Sequence, residues 1–461
     1  EIALLAAPQV FSNLMTLLNE FTNTICLGHA GNDVELAAVG LGNMMQNCIG
    51  LSIGFGLGQA LDTLVSQAHG ANQTQLCLHY LQRGRVLITL QLVWMMPLLW
   101  SSETLLLFVG QDPQVAYHAA SYNKIASVGL FCIFQFECSR KYLCNIGNPT
   151  PPAVISGVCS LLHVAWALLF MVHLKLGNAG AGYANLTTWS LEYLMISVYM
   201  AGTASSSHDS KWELLGVQRP GLQGWCSFLQ VAVPATIQLV TEWWFWEICA
   251  LVVGYLGPTA LAAHVATLNI IALCFMPTIG VSAASSTIVG NSIGAGLPRK
   301  SRQAAWLCVL FNTGIWTLET LALGFGRKEI ARASSGDPEV QSLMEQLILI
   351  YLVCGYSDTS QNIMGGVMRG IGMNTAPAII YLVAFYFIML PLGCAFIWPL
   401  HMGVQGMWWS MAVGTTIATA TFVFLLSRVD WARKAEESVE RIQNETDSST
   451  CSPSQGEIEV G

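Results

Sequence analysis

The chain has little charge for its length. Of its 461 residues only 10% are Asp, Glu, Lys or Arg, against 53% hydrophobic residues, and its mean hydropathy is +0.53. A soluble globule of this size carries far more surface charge, so composition excludes that class and selects a polytopic membrane protein. Catalytic signatures are missing as well: there is no HExxH, no GxSxG and no Walker A sequence, and the nine His residues are scattered. Intramembrane proteolysis and ATP-driven transport therefore find no support, and the chain reads as a non-enzyme without cofactor or metal. No basic cluster interleaved with aromatics points to a nucleic-acid partner. The fourteen Cys residues are dispersed, mostly inside apolar runs, and read as small packing residues rather than disulfides or metal ligands.

What the chain does have is long apolar runs. A membrane span needs roughly 20 such residues. Twelve can be placed, near 3–27, 37–62, 86–109, 115–137, 152–174 and 179–202, and again near 226–253, 260–289, 303–325, 340–366, 376–398 and 404–427. With an even count both termini lie on one side. Fourteen of the nineteen Lys and Arg residues fall there, among them Arg83, Arg85, Arg140, Lys141, Arg299, Lys300, Arg369 and Arg433. The positive-inside rule then makes both termini cytoplasmic. Lys124 is the one basic residue left inside a span on this reading.

The two sets of six are copies. Pro8 recurs as Pro234, Asp112-Pro113 as Asp337-Pro338, Gly147 as Gly372, Pro152 as Pro377, and Gly177 and Gly180 as Gly403 and Gly406, all at an offset of 225 or 226. Leu36-Ala-Ala38 likewise faces Leu261-Ala-Ala263. A duplicated membrane bundle is the usual build of a secondary transporter, with substrate held between halves that rock. Because six is even, the copies should be related by an axis along the membrane normal. The expected domains are a first lobe (1–202), a cytoplasmic linker (203–225), a second lobe (226–427) and a polar, acidic tail (428–461) expected to be disordered.

An acid in hydrocarbon costs roughly 2.5 to 3.5 kcal/mol on insertion scales, so it calls for a water-filled path, a partner or a proton. Glu242 and Glu247 fall in the seventh span, within Glu242-Trp-Trp-Phe-Trp-Glu247; Asp358 falls mid-way along the tenth, and Glu20 in the first beside Asn19 and Asn23. A carboxyl withdrawn from water holds its proton to higher pH, so proton and organic cation would compete for it. Trp243, Trp246, Tyr351 and Tyr356 are candidate cation-π faces, each contributing about 0.5 to 2 kcal/mol, although interfacial or lipid-facing rings are an equal reading for any one of them. Asp62, Glu137, Glu192, Glu319 and Glu345 are read first as snorkelling or locally hydrogen-bonded. Gly54, Gly56 and Gly280 are candidates for the rocking interface, with plain helix packing the equal alternative.

Gly54-Phe-Gly-Leu57 with Asp62-Thr-Leu-Val-Ser-Gln67, and Pro277-Thr-Ile-Gly-Val-Ser-Ala-Ala284 with Val289-Gly-Asn291, resemble the multidrug and toxin extrusion (MATE) family. Gly28-His29, Gln111-Asp-Pro113, Glu242-Trp-Trp244 and Gly365-Gly-Val-Met-Arg-Gly370 are similar to its animal branch. The resemblance covers about residues 3 to 430. It implies an all-α integral membrane fold of twelve helices in two parallel-related six-helix bundles. It also implies export of organic cations in exchange for protons at the plasma membrane, with Glu242, Glu247 and Asp358 as the binding acids. Two departures stand out: Asn269 occupies a position where close animal relatives carry glutamate, and Asn23 aligns with an aspartate of bacterial members. Glu20, one turn earlier, is the candidate substitute for that aspartate. A lipid-linked or anionic cargo, and sodium in place of the proton, are the alternatives; a cleft for anions would be lined by Arg or Lys. The expected partners are organic cations, protons and the bilayer, with a monomer as default.

Overall fold

The computed structural model describes residues 1–29, 33–204 and 224–450. Most of the expected linker, and the tail after residue 450, lie outside these. Among the described residues the fold is helical throughout, without a strand. The first span is Ile2–His29. The second is broken into Asp33–Met45, a π-helical turn at Gln46–Leu51, Ser52–Gly58 and Ala60–Gly70. The third, Thr74–Trp100, continues after a 56° bend as Ser102–Phe108, and Pro113–Asn145, Thr150–His173 and Gly177–Ala204 complete the first six. The second six are Trp225–Gly254, Pro258–Gly294, Pro298–Ser334, Pro338–Gly370, Thr375–Ile397 and Val404–Arg428.

Nine of these are long and apolar enough to cross a bilayer on composition alone, and the bent third makes ten. The fourth and sixth are diluted by polar residues. Several of those, including Tyr122, Glu137, Asn185 and Glu192, line the central cavity described below.

The repeat landmarks turn out to be helix punctuation. The Asp112 carboxylate accepts from the backbone N–H of Gln114 (2.8 Å) and Val115 (3.3 Å), and Asp337 accepts from that of Glu339 (2.8 Å), each with proline at the first helical position. An acceptor there satisfies N–H groups that the helix cannot. Gly147 (φ +85°) and Gly372 (φ +79°) make the left-handed turns that follow the fourth and tenth helices.

The two bundles meet along a seam of small residues. A Cβ on Gly56 would lie 2.6 Å from the Thr236 Cα, and one on Gly280 2.9 Å from the Val10 backbone nitrogen, so these two candidate glycines do lie between the bundles. Gly54 does not: a Cβ there would run into Phe134 and Gln91, inside the first bundle. At the membrane face that carries both chain ends the backbones themselves touch. A Cβ on Gly70 would collide with the Asn291 carbonyl, and one on Gly294 with that of Gln67. Side chains close this end further, since Thr63 Oγ1 donates to the Arg369 carbonyl (2.7 Å) and Gln67 Nε2 to that of Gly370 (2.7 Å). Thr287 Oγ1 donates across the seam to Asn145 Oδ1 (2.8 Å).

The chain past Arg428 departs from expectation. In place of a disordered tail, Trp431–Thr450 forms an amphipathic helix. Trp431, Ala435, Ser438 and Ile442, spaced four, three and four residues apart, are buried as one stripe, while Glu436, Glu437, Glu440 and Asp447 face water. The helix grows from the second bundle and grips the first: Ser438 Oγ donates to Gln67 Oε1 (2.7 Å), Arg441 bonds the same oxygen, and Glu445 pairs with Arg83 (2.8 Å). The Arg83 side chain is only 3% exposed, and breaking a buried pair costs roughly 3 to 5 kcal/mol. Glu445→Gln is therefore expected to speed amide exchange along residues 431–450 on the order of a hundredfold, read by hydrogen–deuterium exchange mass spectrometry. Unchanged exchange would show that the stripe alone docks the helix.

Candidate functional site

A cavity of about 580 Å³ lies between the bundles. The first, second, fourth, fifth and sixth spans wall it on one side, and the seventh, eighth and tenth on the other.

The seventh helix shows why its odd sequence folds as it does. Phe245, Cys249 and Val253, four residues apart, are fully buried in the core of the second bundle, where Phe245 meets Phe385 edge-on at 4.8 Å. The adjoining side of the helix presents Gln238, Glu242 and Trp246 to the cavity, and further round it Trp243 and Glu247. Both glutamates thus reach the same space, although five residues separate them by about 140° around a helix. Neither makes a side-chain hydrogen bond or ion pair with any described residue. Trp243 is braced edge-on by Phe55 at 6.2 Å, and Trp244 turns away to donate to the Cys48 carbonyl (3.1 Å).

Asp358 is 6% exposed and held by neutral donors, Tyr351 Oη–H (2.9 Å) and Gln361 Nε2 (3.0 Å). Tyr351 is fixed in turn by Trp316 and Trp408, with ring centroids at 5.3 and 6.1 Å. Two donors orient the carboxylate and leave its charge without a counter-ion.

Asn269 and Glu20 also line the cavity, and Glu20 bonds no described residue. Asn23 is tied into a chain of neutral groups: its Nδ2 donates to Asn185 Oδ1 (2.8 Å), Asn185 Nδ2 to Tyr122 Oη (2.9 Å), and Tyr122 Oη to Asn43 Oδ1 (2.6 Å), while His163 Nε2 lies 3.1 Å from Asn23 Oδ1. Of the aromatic candidates Trp243, Trp246 and Tyr351 line the cavity; Tyr356 does not. Five residues after Tyr351, it is rotated by about 140°, is 36% exposed, and hydrogen-bonds Thr317 (3.3 Å) on the ninth helix.

The basic residues require a correction. Lys124 is exposed and lines nothing, whereas Arg140, Lys141 and Arg369, assigned from hydropathy to the cytoplasmic flank, lie inside the long fourth and tenth helices and line the cavity. Most of that positive charge is neutralised locally. Arg140 makes two bonds to Glu137 (2.7 and 2.8 Å), and Lys141 pairs with Asp62 (2.8 Å), which Asn145 also bonds (3.2 Å). Arg369 donates to Ser282 Oγ (3.2 Å) and has no carboxylate of the described residues within 4.0 Å. Among the described residues Glu20, Glu192, Glu242, Glu247 and Asp358 thus have no ion-pair partner, against a single unpaired guanidinium. Acids therefore outnumber bases on the cavity wall.

Asp62, Glu137 and Glu192 line the cavity too; the first two are locally bonded, as the sequence reading had it, and Glu192 is not. The signal that finds it is spacing, since Asn185, Trp189 and Glu192 stand four and three residues apart on one face of the sixth helix.

Comparison with known proteins fits this architecture. The MatE family model matches the chain twice, over residues 8–169 and 234–394. Multidrug and toxin extrusion protein 1 of Danio rerio is 30% identical over 441 residues, covering 96% of this chain and 74% of that protein. The Homo sapiens protein of the same name is 29% identical over 436 residues, with 95% and 76% covered. Among solved structures, the eukaryotic MATE transporter AtDTX14 superposes with a TM-score of 0.89 at 21% identity, covering 96% of this chain and 98% of that one. An outward-facing MATE family multidrug resistance transporter gives 0.82 at 18% identity, with 97% and 96% covered. Twelve helices in two six-helix bundles around a cavity lined by more acids than bases, and a family model matched once in each bundle, lead to one conclusion: the chain belongs to the MATE family of multidrug and toxin extrusion transporters, multi-pass membrane proteins that are not enzymes.

Proposed function

We propose that this protein exports organic cations across the plasma membrane in exchange for protons, with both termini cytoplasmic and a single chain sufficing. The observation that carries this reading is the set of unpaired acids, Glu242, Glu247 and Asp358, sharing one cavity with Trp243, Trp246 and Tyr351. A carboxylate with no fixed counter-ion attracts a cation, and aromatic faces beside it add attraction for quaternary or delocalised charge. A proton on the same carboxyl removes that attraction. Cation and proton then exclude each other, and exchange follows if the bundles change sides only when the acids are neutralised by one or the other. The seam from Gly56–Thr236 through Gly280–Val10 to Gly70–Asn291 is the surface over which two lobes would rock.

In proteoliposomes, an outward-directed proton gradient is expected to drive uptake of labelled tetraethylammonium, and a sodium gradient of equal size is not. Uptake driven by sodium alone would replace the proton as coupling ion. No uptake under either gradient would point to a different cargo.

A further inference from the structure

Glu192 does not belong to the acid group of the second bundle. It lies in the sixth helix, is 4% exposed, lines the cavity, and makes no hydrogen bond or ion pair with any described residue. The cations of the first bundle that line the cavity are engaged elsewhere, Arg140 by Glu137 and Lys141 by Asp62. A carboxylate so withdrawn from water and without a bonded partner is costly, by several kcal/mol. A proton, or a cation that enters the cavity, would satisfy it.

Its surroundings are built for a cation. Trp189 sits one turn earlier on the same face and also lines the cavity. The indole lies tight over Gly129 of the fourth helix, where a Cβ would meet it at 2.6 Å, so ring and carboxylate are presented together by a rigid wall. Asn185, a further turn back, completes the face. The seventh helix of the second bundle offers the same three chemistries at helical spacing in Gln238, Glu242 and Trp246. An amide, a carboxylate and an indole thus line the cavity from each bundle.

We propose that Glu192, with the indole of Trp189, forms a second cation subsite in the first bundle, and that the cavity takes organic dications with one charge at Glu242 and Asp358 and the other at Glu192. This rests on the cation-transport reading above and adds a substrate class to it. A dication bridges the two bundles and neutralises acids of both at once, whereas a monocation engages one set.

The test compares hexamethonium with hexyltrimethylammonium, which share the six-carbon chain and one quaternary head, as competitors of tetraethylammonium uptake. In the wild type, hexamethonium is expected to compete at least roughly tenfold more tightly, the gain of one further charge-assisted contact. Glu192→Gln should remove that advantage and leave hexyltrimethylammonium within about twofold, and Glu192→Asp should restore part of it. Trp189→Phe provides a second variant that keeps the carboxylate and an aromatic ring, and it should weaken hexamethonium selectively. Equal loss for both ligands in Glu192→Gln, no loss for either, or no preference for hexamethonium in the wild type would overturn the subsite. Failure of the wild type to take up tetraethylammonium would instead strike the transport reading itself, so the two failures are distinguishable.

Discussion

Glu242→Gln is expected to reduce proton-driven uptake of a quaternary ammonium ion at least on the order of a hundredfold, while the protein inserts and folds normally. The substitution keeps shape and volume and removes the one charge. Glu242 has no partner among the described residues, so no ion pair is broken and stability should hold. Interaction of a cation with such a carboxylate contributes roughly 1.5 to 3 kcal/mol, a factor of 10 to 150 in affinity. The amide also cannot take up the proton that drives the exchange, so turnover falls beyond the loss in binding. Asp358→Asn should behave alike in transport but differ in stability. Tyr351 Oη–H and Gln361 Nε2 both donate to Asp358, and an amide nitrogen in place of one oxygen sets donor against donor. A fall in melting temperature for Asp358→Asn and none for Glu242→Gln would separate the two roles. Retained proton-driven uptake in Glu242→Gln would remove this residue from the coupling site.

Gly294→Val is expected to have the second large effect, by a route that touches no cavity acid. A Cβ on Gly294 has the backbone carbonyl of Gln67 in its place, and at the neighbouring contact Gly70 stands against the Asn291 carbonyl. Backbone cannot rotate out of the way as a side chain can, so the second and eighth helices must separate. Overpacking typically costs 1 to 3 kcal/mol, and a backbone clash falls at about the upper end. The hydrogen bonds from Thr63 and Gln67 to the Arg369 and Gly370 carbonyls lie at this same end and would be strained with it. Spin labels at the exposed Gln75 and Arg299, in a cysteine-depleted background, should move apart, and uptake should fall more than about tenfold for want of a closed state. An unchanged distance distribution would mean that the seam does not close against Gly294 in the membrane.

Much of this arrangement was legible in the sequence because it is carried by residues with one physical meaning. Asp-Pro pairs at 112–113 and 337–338 start helices, Gly147 and Gly372 end them, and both recur at the repeat offset. Acids in apolar runs were candidates for a cavity wall, and Glu242, Glu247, Asp358 and Glu20 line one, whereas Glu319 does not. What escaped depends on rotation about a helix axis and on how far a helix extends. Tyr356 is five residues from Tyr351 and points away; Arg140, Lys141 and Arg369 sit in terminal turns that hydropathy assigns to loops, yet they reach inward. Glu192, read first as snorkelling or locally hydrogen-bonded, lies on the cavity wall in line with Trp189 and Asn185. The helix at Trp431–Thr450 has too few apolar residues to register as hydrophobic, and its stripe gains meaning only from Gln67 and Arg83 far away in sequence.

The competition between cation and proton for the cavity carboxyls can be measured without transport. Tetraethylammonium is added to the purified protein in weakly buffered solution near neutral pH while released protons are followed with an indicator dye. Proton release that saturates with the bound cation, and is lost in Glu242→Gln, is the predicted result. Cation binding with no change in pH, or with a release that Glu242→Gln leaves intact, would contradict it.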